Sequence, residues 1–181
     1  MDRRKPTPLP PLVASEWPEA IDDLREGFAG QLNVYRVMAH HPLLLRAWAP
    51  LRQHIVKDTA LGAERSEVVI LRVAHRFGSE YEWAHHVSRA RKLGFSDQRI
   101  LALKSTPDGE DAPIAEAVDS LLDQRRLPPA LEAELAAMIG REAVLDLIAT
   151  VGFYSVLGYM LMSYDKPIDD AIAAEMVERP L

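Results

Sequence analysis

The chain has 181 residues, 48% apolar and 27% charged, with a formal net charge of −6 and a pI near 5.5. That length and balance suit one soluble domain with a sizeable core, and the acidic balance argues against a nucleic-acid surface, which needs clustered Lys and Arg. The chain has no cysteine, which excludes disulfides, thiolate metal sites, iron–sulfur clusters and thiol redox chemistry.

Residues 1–14 read as a Pro-rich extended arm. Arg3, Arg4 and Lys5 are followed by Pro6, Pro8, Pro10 and Pro11 rather than by an apolar run, so no secretory signal is expected and a cytoplasmic location is. The remaining residues, 15–181, are expected to form one helical domain. Ser15 is expected to cap a helix running to about Phe28, with Pro18 in its first turn. Asn33 can cap a short helix to His40, and Pro42 opens another that reaches Ile55. Gly62 precedes a helix from about Ala63 to Phe77, ended by Gly78. Val68-Val69-Ile70 is β-prone but sits inside the longer helical pattern of Leu71, Ala74 and Phe77. Ser79 caps the next helix, to Lys92, and Glu82 at its third position completes a capping-box pattern. A short helix from Ser96-Asp97, a polar loop from Ser105 to Asp111, and helices at about 113–125, 128–139, 141–164 and 168–177 complete an all-α reading.

Leu147 to Met162 is apolar apart from Thr150, Ser155 and two tyrosine hydroxyls. It falls short of a bilayer span and is interrupted by Gly152 and Gly158, so a central or interface helix is expected and no membrane association. Ala149, Gly152 and Ser155 form a small-residue stripe where another helix can approach. Leu61-Gly62 before Glu67 and Ile139-Gly140 before Asp146 hint at an internal repeat.

The chemistry concentrates in Ser79-Glu80-Tyr81-Glu82-Trp83-Ala84-His85-His86, with Glu67 twelve positions before Ser79. Glu82 and His86 lie four apart, on one helical face. Glu67 shares its face with Ala63, Ile70, Leu71 and Ala74, where a carboxylate must be paired or protonated; a plainer reading has it reach solvent, Arg65 or Arg72. His86 shares a mostly apolar stripe with Glu82, Trp83, Ala90 and Leu93, which makes it the inward histidine or a satisfied core histidine. His85 lines up with Tyr81, Ser88, Arg89 and Lys92 and is expected to be the solvated one. For Glu82 the capping box is the rival reading. Glu82-x-x-His85 matches half of a di-iron carboxylate motif, but none of His40, His41, His54 and His75 supplies the second half. No metal and no cofactor are expected; a mononuclear site of His86, Glu82 and Glu67 is the weaker alternative. His40-His41-Pro42 marks a helix junction, with capping or pocket lining as its role. No phosphate loop, nucleophile elbow or kinase signature appears.

Asn33-Val34-Tyr35-Arg36, His40-His41-Pro42, the Glu67 helix, Glu80 to His86 and Gly152-Phe153-Tyr154 together resemble the carboxymuconolactone decarboxylase family, which shares the fold of alkyl hydroperoxidase D-like proteins. The resemblance spans most of the chain from about residue 16. The family's peroxidase branch has a Glu, a Cys-x-x-Cys twelve residues later, and a His four residues after that. Those positions are Glu67, Ser79, Glu82 and His86 here, so both redox cysteines are replaced. The Tyr-Glu-Trp-x-x-His form resembles the cysteine-free, decarboxylase-like branch. The resemblance implies an all-helical homo-oligomer, as a dimer, trimer or hexamer. It also implies a cofactor-independent lyase acting on a small carboxylated lactone or aromatic-degradation intermediate. In that reading His86 is the general acid, Glu67 holds its ring and Glu82 assists, all three being catalytic. Tyr81, Trp83, Tyr35 and His85 line the substrate pocket, and Arg36 holds a substrate carboxylate. A thiol-free peroxide-metabolising protein and a non-catalytic binding or assembly protein are the alternatives.

Overall fold

The structure is a computed structural model that describes residues 9–181; the first eight residues of the expected arm lie outside the described residues. It is all-helical, with ten α-helices and no strand among the described residues. The expected helix from Ser15 to Phe28 does not form as one piece. Short 3-10 turns at Ala14–Glu16 and Glu19–Ile21 precede helix α1 (Asp22–Leu24) and a wide π-type turn, Arg25–Ala29. Pro18 is the reason for the first break. The residue before a proline is driven out of the helical region, and Trp17 is extended at φ −68°, ψ 127°. Val13 and Pro18, not Ser15, occupy the N-cap positions. The second break is at Gly27, which leaves helical geometry altogether (φ −95°, ψ −147°).

Beyond this stretch the expected helices form, though Leu32, not Asn33, is the N-cap of the next one, and the Asn33 side chain accepts from Arg36 instead. Helix α2 spans Asn33–Met38 and α3 spans Pro42–Gln53, with Pro42 in its first turn and His41 Nδ1 accepting from the Leu44 amide at 3.4 Å. A π-type segment, His54–Asp58, continues α3 and brings Ile55 and Val56 inward. Helix α4 (Ala63–Phe77) ends at Gly78 in the left-handed region (φ +67°), and Ser79 caps α5 (Glu80–Lys92). Helices α6 (Asp97–Ala102), α7 (Asp111–Gln124), α8 (Pro129–Ile139), α9 (Arg141–Tyr164) and α10 (Asp170–Glu178) follow.

Helix α4 is the hub: α5, α7 and α9 all pack against it. This explains why its β-prone run is helical. Val68, Val69, Ile70 and Leu71 point in four successive directions around the helix, and each direction meets a neighbour, so all four are buried. Helix α9 is long and apolar enough to cross a membrane by length and composition, yet Val144, Leu147, Val151, Tyr154, Leu157 and Leu161 repeat at helical spacing and are buried in the core. Within the chain nothing stands within 4 Å of where a Gly152 Cβ would be, and Gly152 faces outward. The tight contact is at Gly158, where a Cβ would lie 3.2 Å from the Phe77 ring of α4. The hinted repeat has a structural counterpart. Gly62 and Gly140 both sit at positive φ (+80° and +84°) before α4 and α9, which pack on each other.

Polar clamps hold the periphery. Arg72 on α4 donates to both oxygens of Asp119 on α7 (2.9 and 2.5 Å) and to the Leu103 and Ser105 carbonyls (2.8 and 2.9 Å). Its side chain is only 11% exposed, so its loss leaves two carbonyls without their donor and Asp119 with Arg76 alone. Arg72→Met is expected to destabilise the fold by about 2–3 kcal/mol. A melting temperature within 1 °C of wild type, against roughly 5–10 °C lower expected, would contradict the clamp.

Candidate active site

Glu67 and His86 meet between α4 and α5. His86 Nδ1 lies 2.6 Å from Glu67 Oε2, and both side chains are buried. A carboxylate accepts, so Nδ1 carries the proton and Nε2 presents a lone pair. Arg65 and Arg72 play no part, being engaged with Glu110 and Asp119. The far edge of the ring faces Glu82, with Nε2 3.5 Å from Glu82 Oε2. The Tyr154 ring abuts the imidazole edge-on at 5.0 Å between centroids.

Glu82 is not a capping residue. The Ser79 hydroxyl accepts from the Glu82 amide at 3.4 Å, but the reciprocal half of the box is missing because the Ser79 amide donates to the Ala74 carbonyl. The Glu82 carboxyl is turned inward instead, and its buried Oε1 has no hydrogen-bond partner among the described residues. Burial pushes its pKa up to about 7, with His85 and Arg89 opposing and Glu67 reinforcing. Burial also lowers the His86 pKa, against the pull of Glu67, so the imidazole is held neutral. The two carboxyl groups flank opposite edges of one ring and therefore do not converge on a common point. No group of three or more metal-binding side chains is arranged for an ion among the described residues.

Two small cavities adjoin this triad. One, of about 30 Å³, is lined by Glu82, His85, His86, Tyr35 and Tyr81 together with Arg52. The other, of about 130 Å³, is lined by Glu67, Ser66, Ile55, Ile70, Lys57 and Thr59. Val56, Arg89 and Tyr154 border both. The π-type segment after α3 thus supplies the shared wall through Val56, a placement common for such segments near functional sites. Burial raises the Tyr35 pKa to about 12, with Arg52 opposing, and carries Tyr154 well above its ordinary value. Both phenols are therefore neutral donors.

Three expectations about this region are corrected. His85 is buried rather than solvated, because the segment leading into α10 covers the polar stripe of α5. His85 Nε2 lies 2.8 Å from Asp169 Oδ2, Tyr81 donates to the same oxygen at 2.5 Å, and the Ser88 hydroxyl donates to Glu175 at 2.6 Å. Burial alone would raise the Asp169 pKa, but hydrogen bonds from His85, Tyr81 and the Asn33 amide bring it below the usual range. Tyr81 and His85 line the smaller cavity with hydrogen-bonding atoms already committed. Trp83 faces away from the triad into a separate groove, under the Lys104 ammonium (4.4 Å) and beside His75 (6.4 Å). Arg36 is occupied by the arm, donating to the Leu12 carbonyl at 2.8 Å and to Asn33 at 3.2 Å. The histidine junction is structural: His40 bonds the Pro10 carbonyl of the arm at 2.9 Å, and His41 caps α3.

Sequence reading missed Arg52 and Arg89. Arg52 stands fifteen positions before Glu67, the nearest residue assigned to the site, inside an apolar helix, and Arg89 lies on the polar stripe of α5 expected to be solvated. It also missed a second His–carboxylate pair: Asp146 on α9 takes His54 Nε2 at 2.6 Å, the Thr59 hydroxyl at 2.9 Å and the Ala60 amide at 2.6 Å. Those bonds hold the turn before α4 in place and are structural.

Comparison with known families gives a match to the carboxymuconolactone decarboxylase family over residues 42–106, about a third of the chain, from α3 through α6. The match includes Glu67, Glu82 and His86. Among solved structures the chain is similar to the debrominase Bmp8 in complex with 2,3,4-tribromopyrrole, with a TM-score of 0.73 and 18% identity over 95% of this chain and 97% of that one. It is equally similar to an uncharacterised peroxidase-related protein from Silicibacter sp. TM1040, with a TM-score of 0.73 and 15% identity over 93% and 96%. At these identities the likeness establishes the shared helical fold. No curated protein matches the chain.

The titration of Glu82 couples to stability with a definite sign. Its folded pKa is raised above the ordinary 4.5 to about 7, so the folded state binds the extra proton between those values. That contribution is complete below pH 4.5 and is lost as pH rises through 7. Urea unfolding of wild type and Glu82→Gln should therefore diverge by about 3 kcal/mol in favour of the variant between pH 4.5 and 8. Parallel pH–stability curves would mean that Glu82 titrates normally.

Proposed function

We propose that this protein is a cofactor-independent lyase that decarboxylates a small, carboxylated, unsaturated ring by proton transfer from Glu82, with His86 and Glu67 as its partners. The observation that carries this reading is a buried carboxyl with a pKa near 7 and an unpartnered oxygen, set against a neutral imidazole locked by a second carboxylate. Such a group is protonated in a useful fraction at neutral pH, and is a competent acid there. The role of general acid passes from His86 to Glu82, since a neutral imidazole whose only proton is bound to Glu67 has none to give. His86 Nε2 stands beside the Glu82 carboxyl and orients it for the transfer.

In the reaction, the bond between the ring carbon and its carboxylate breaks and CO₂ leaves. The electron pair moves into the conjugated carbonyl system, and the Glu82 proton is delivered to carbon. Tyr154 and Tyr35 supply neutral donors to the developing enolate. Water reloads Glu82. The chain has no thiol for the disulfide cycle of the family's peroxidase branch, and that supports a proton-transfer reading.

We further infer that the chain works as a homo-oligomer and acts in the cytoplasm on a small molecule. Leu145, Ile148, Val156, Tyr159 and Met162 form an exposed apolar row on α9, between 40% and 67% accessible, and such a row is suited to self-association. Tyr159→Glu should shift the sedimentation coefficient to that of the monomer; an unchanged profile would move the interface elsewhere.

The catalytic reading is tested by CO₂ release from a panel of carboxylated lactones and cyclic unsaturated acids. Glu82→Gln and His86→Ala should each lower kcat by about 100- to 10,000-fold while the circular dichroism spectrum is retained. The wild-type rate should fall as pH rises above about 7, the pKa of Glu82. No turnover across the panel, or full activity in Glu82→Gln, would overturn it.

A further inference from the structure

Arg52 and Arg89 form a second constellation at the same cavities, and the triad does not use it. Arg52 is 9% exposed. Its guanidinium carbon lies 4.1 Å from the centre of the Phe28 ring and 5.7 Å from that of Tyr35, and its buried Nε has no hydrogen-bond partner among the described residues. No carboxylate oxygen of the described residues comes within 4.0 Å of a nitrogen of Arg52 or Arg89. This sets them apart from Arg46, Arg72, Arg76, Arg91 and Arg99, each of which is paired with an aspartate. A guanidinium cannot discard its charge, and an uncompensated buried cation is costly. The Glu82 carboxyl in the same cavity does not pair with either, its oxygens lying beyond 4.0 Å of their nitrogens, and burial disfavours its charged form.

We propose that Arg52 and Arg89 are the carboxylate clamp of the substrate site, at the junction of the two cavities, and that they set its specificity for a small ring bearing one carboxylate. The proposal rests on the lyase reading above and names its substrate determinants. Size fixes where each part of the ligand goes. A cavity near 150 Å³ accepts benzene, so the 130 Å³ compartment, walled by Ile55 and Ile70, takes a ring of five or six atoms. The 30 Å³ compartment has no room for a ring but admits a carboxylate. Arg89 borders both compartments and Arg52 only the smaller one, so a ligand carboxylate directed into the smaller compartment meets both guanidinium groups. Planar, multi-donor guanidinium groups match a carboxylate better than a neutral amide. The groups that face Glu82 there are His85, His86, Arg89, Glu67, Tyr35, Tyr154 and Arg52. An incoming anion beside them adds negative charge and favours the protonated Glu82, so binding takes up a proton.

The test uses a carboxylate that is not turned over, so it reads binding apart from catalysis. Isothermal titration of the wild-type protein with 2-furoate and with 2-furamide should show the acid binding at least about tenfold more tightly than the isosteric amide. Titration at pH 7.5 in buffers of different ionisation enthalpy should show proton uptake with 2-furoate that disappears in Glu82→Gln. Arg52→Met and Arg89→Met should each weaken 2-furoate by about tenfold or more and leave 2-furamide unchanged, with Arg89→Lys retaining part of the affinity. Because the acid–amide comparison needs no variant, a poorly folding Arg52→Met does not protect the proposal. No binding of 2-furoate, equal binding of acid and amide, or unchanged affinity in both folded variants would overturn it. Furoate binding without turnover of any carboxylated lactone would keep the clamp and reject the lyase.

Discussion

The contact on which the site depends is the 2.6 Å hydrogen bond between His86 Nδ1 and Glu67 Oε2 across the α4–α5 interface. It fixes the imidazole tautomer, so the ring offers a lone pair toward Glu82. It also pairs a carboxylate that α4 would otherwise bury alone among Ile70, Leu71 and Ala74. The cost of burying Glu67 is offset by a single partner, and that partner is aimed by the same bond. Removing either residue therefore strands the other in a low-dielectric interior, where unpaired polar groups are most costly.

Around this bond the fold separates two kinds of buried polarity. On one side of α5, Tyr81, His85 and Ser88 are matched by Asp169 and Glu175 from the C-terminal segment, and the short bonds are satisfied and inert. On the other, Glu82, Arg52 and Arg89 face small cavities with bonding capacity to spare. Saturated networks give rigidity and unsaturated ones give function. The contrast within one thirteen-residue helix explains why neighbouring histidines differ so sharply. His85 is tied down by its own helix and by Asp169, while His86 sits between one carboxyl group that it bonds and another with an unpartnered oxygen.

How much of this was legible in the sequence varies with how local the signal is. Helices α4 and α5 follow from Gly62, Gly78 and Ser79 and from the apolar spacing between them, because left-handed glycine and hydroxyl caps act within one turn. The chain from Ser15 to Ala29 was misjudged where Pro18 and Gly27 overrode an apparently continuous pattern. The Glu82–His86 association was legible because i, i+4 spacing puts both on one helical face; Glu67 joined them only through the family resemblance. The fates of His85, Trp83 and Arg36 were not legible, since each is decided by a segment remote in sequence: Asp169, the groove near Lys104, and the arm at Leu12.

The sequence by itself determined the all-α class, the absence of thiol chemistry and the placing of Glu82 and His86 on one helical face. Composition excludes reactions outright, and helical periodicity is a property of neighbouring residues. Only the tertiary structure decided which carboxyl group has its pKa raised by burial and which arginines lack a carboxylate partner among the described residues. A pKa and an unsatisfied charge depend on everything packed around a group, and those neighbours here come from α2, α3, α4, α5 and α9 at once.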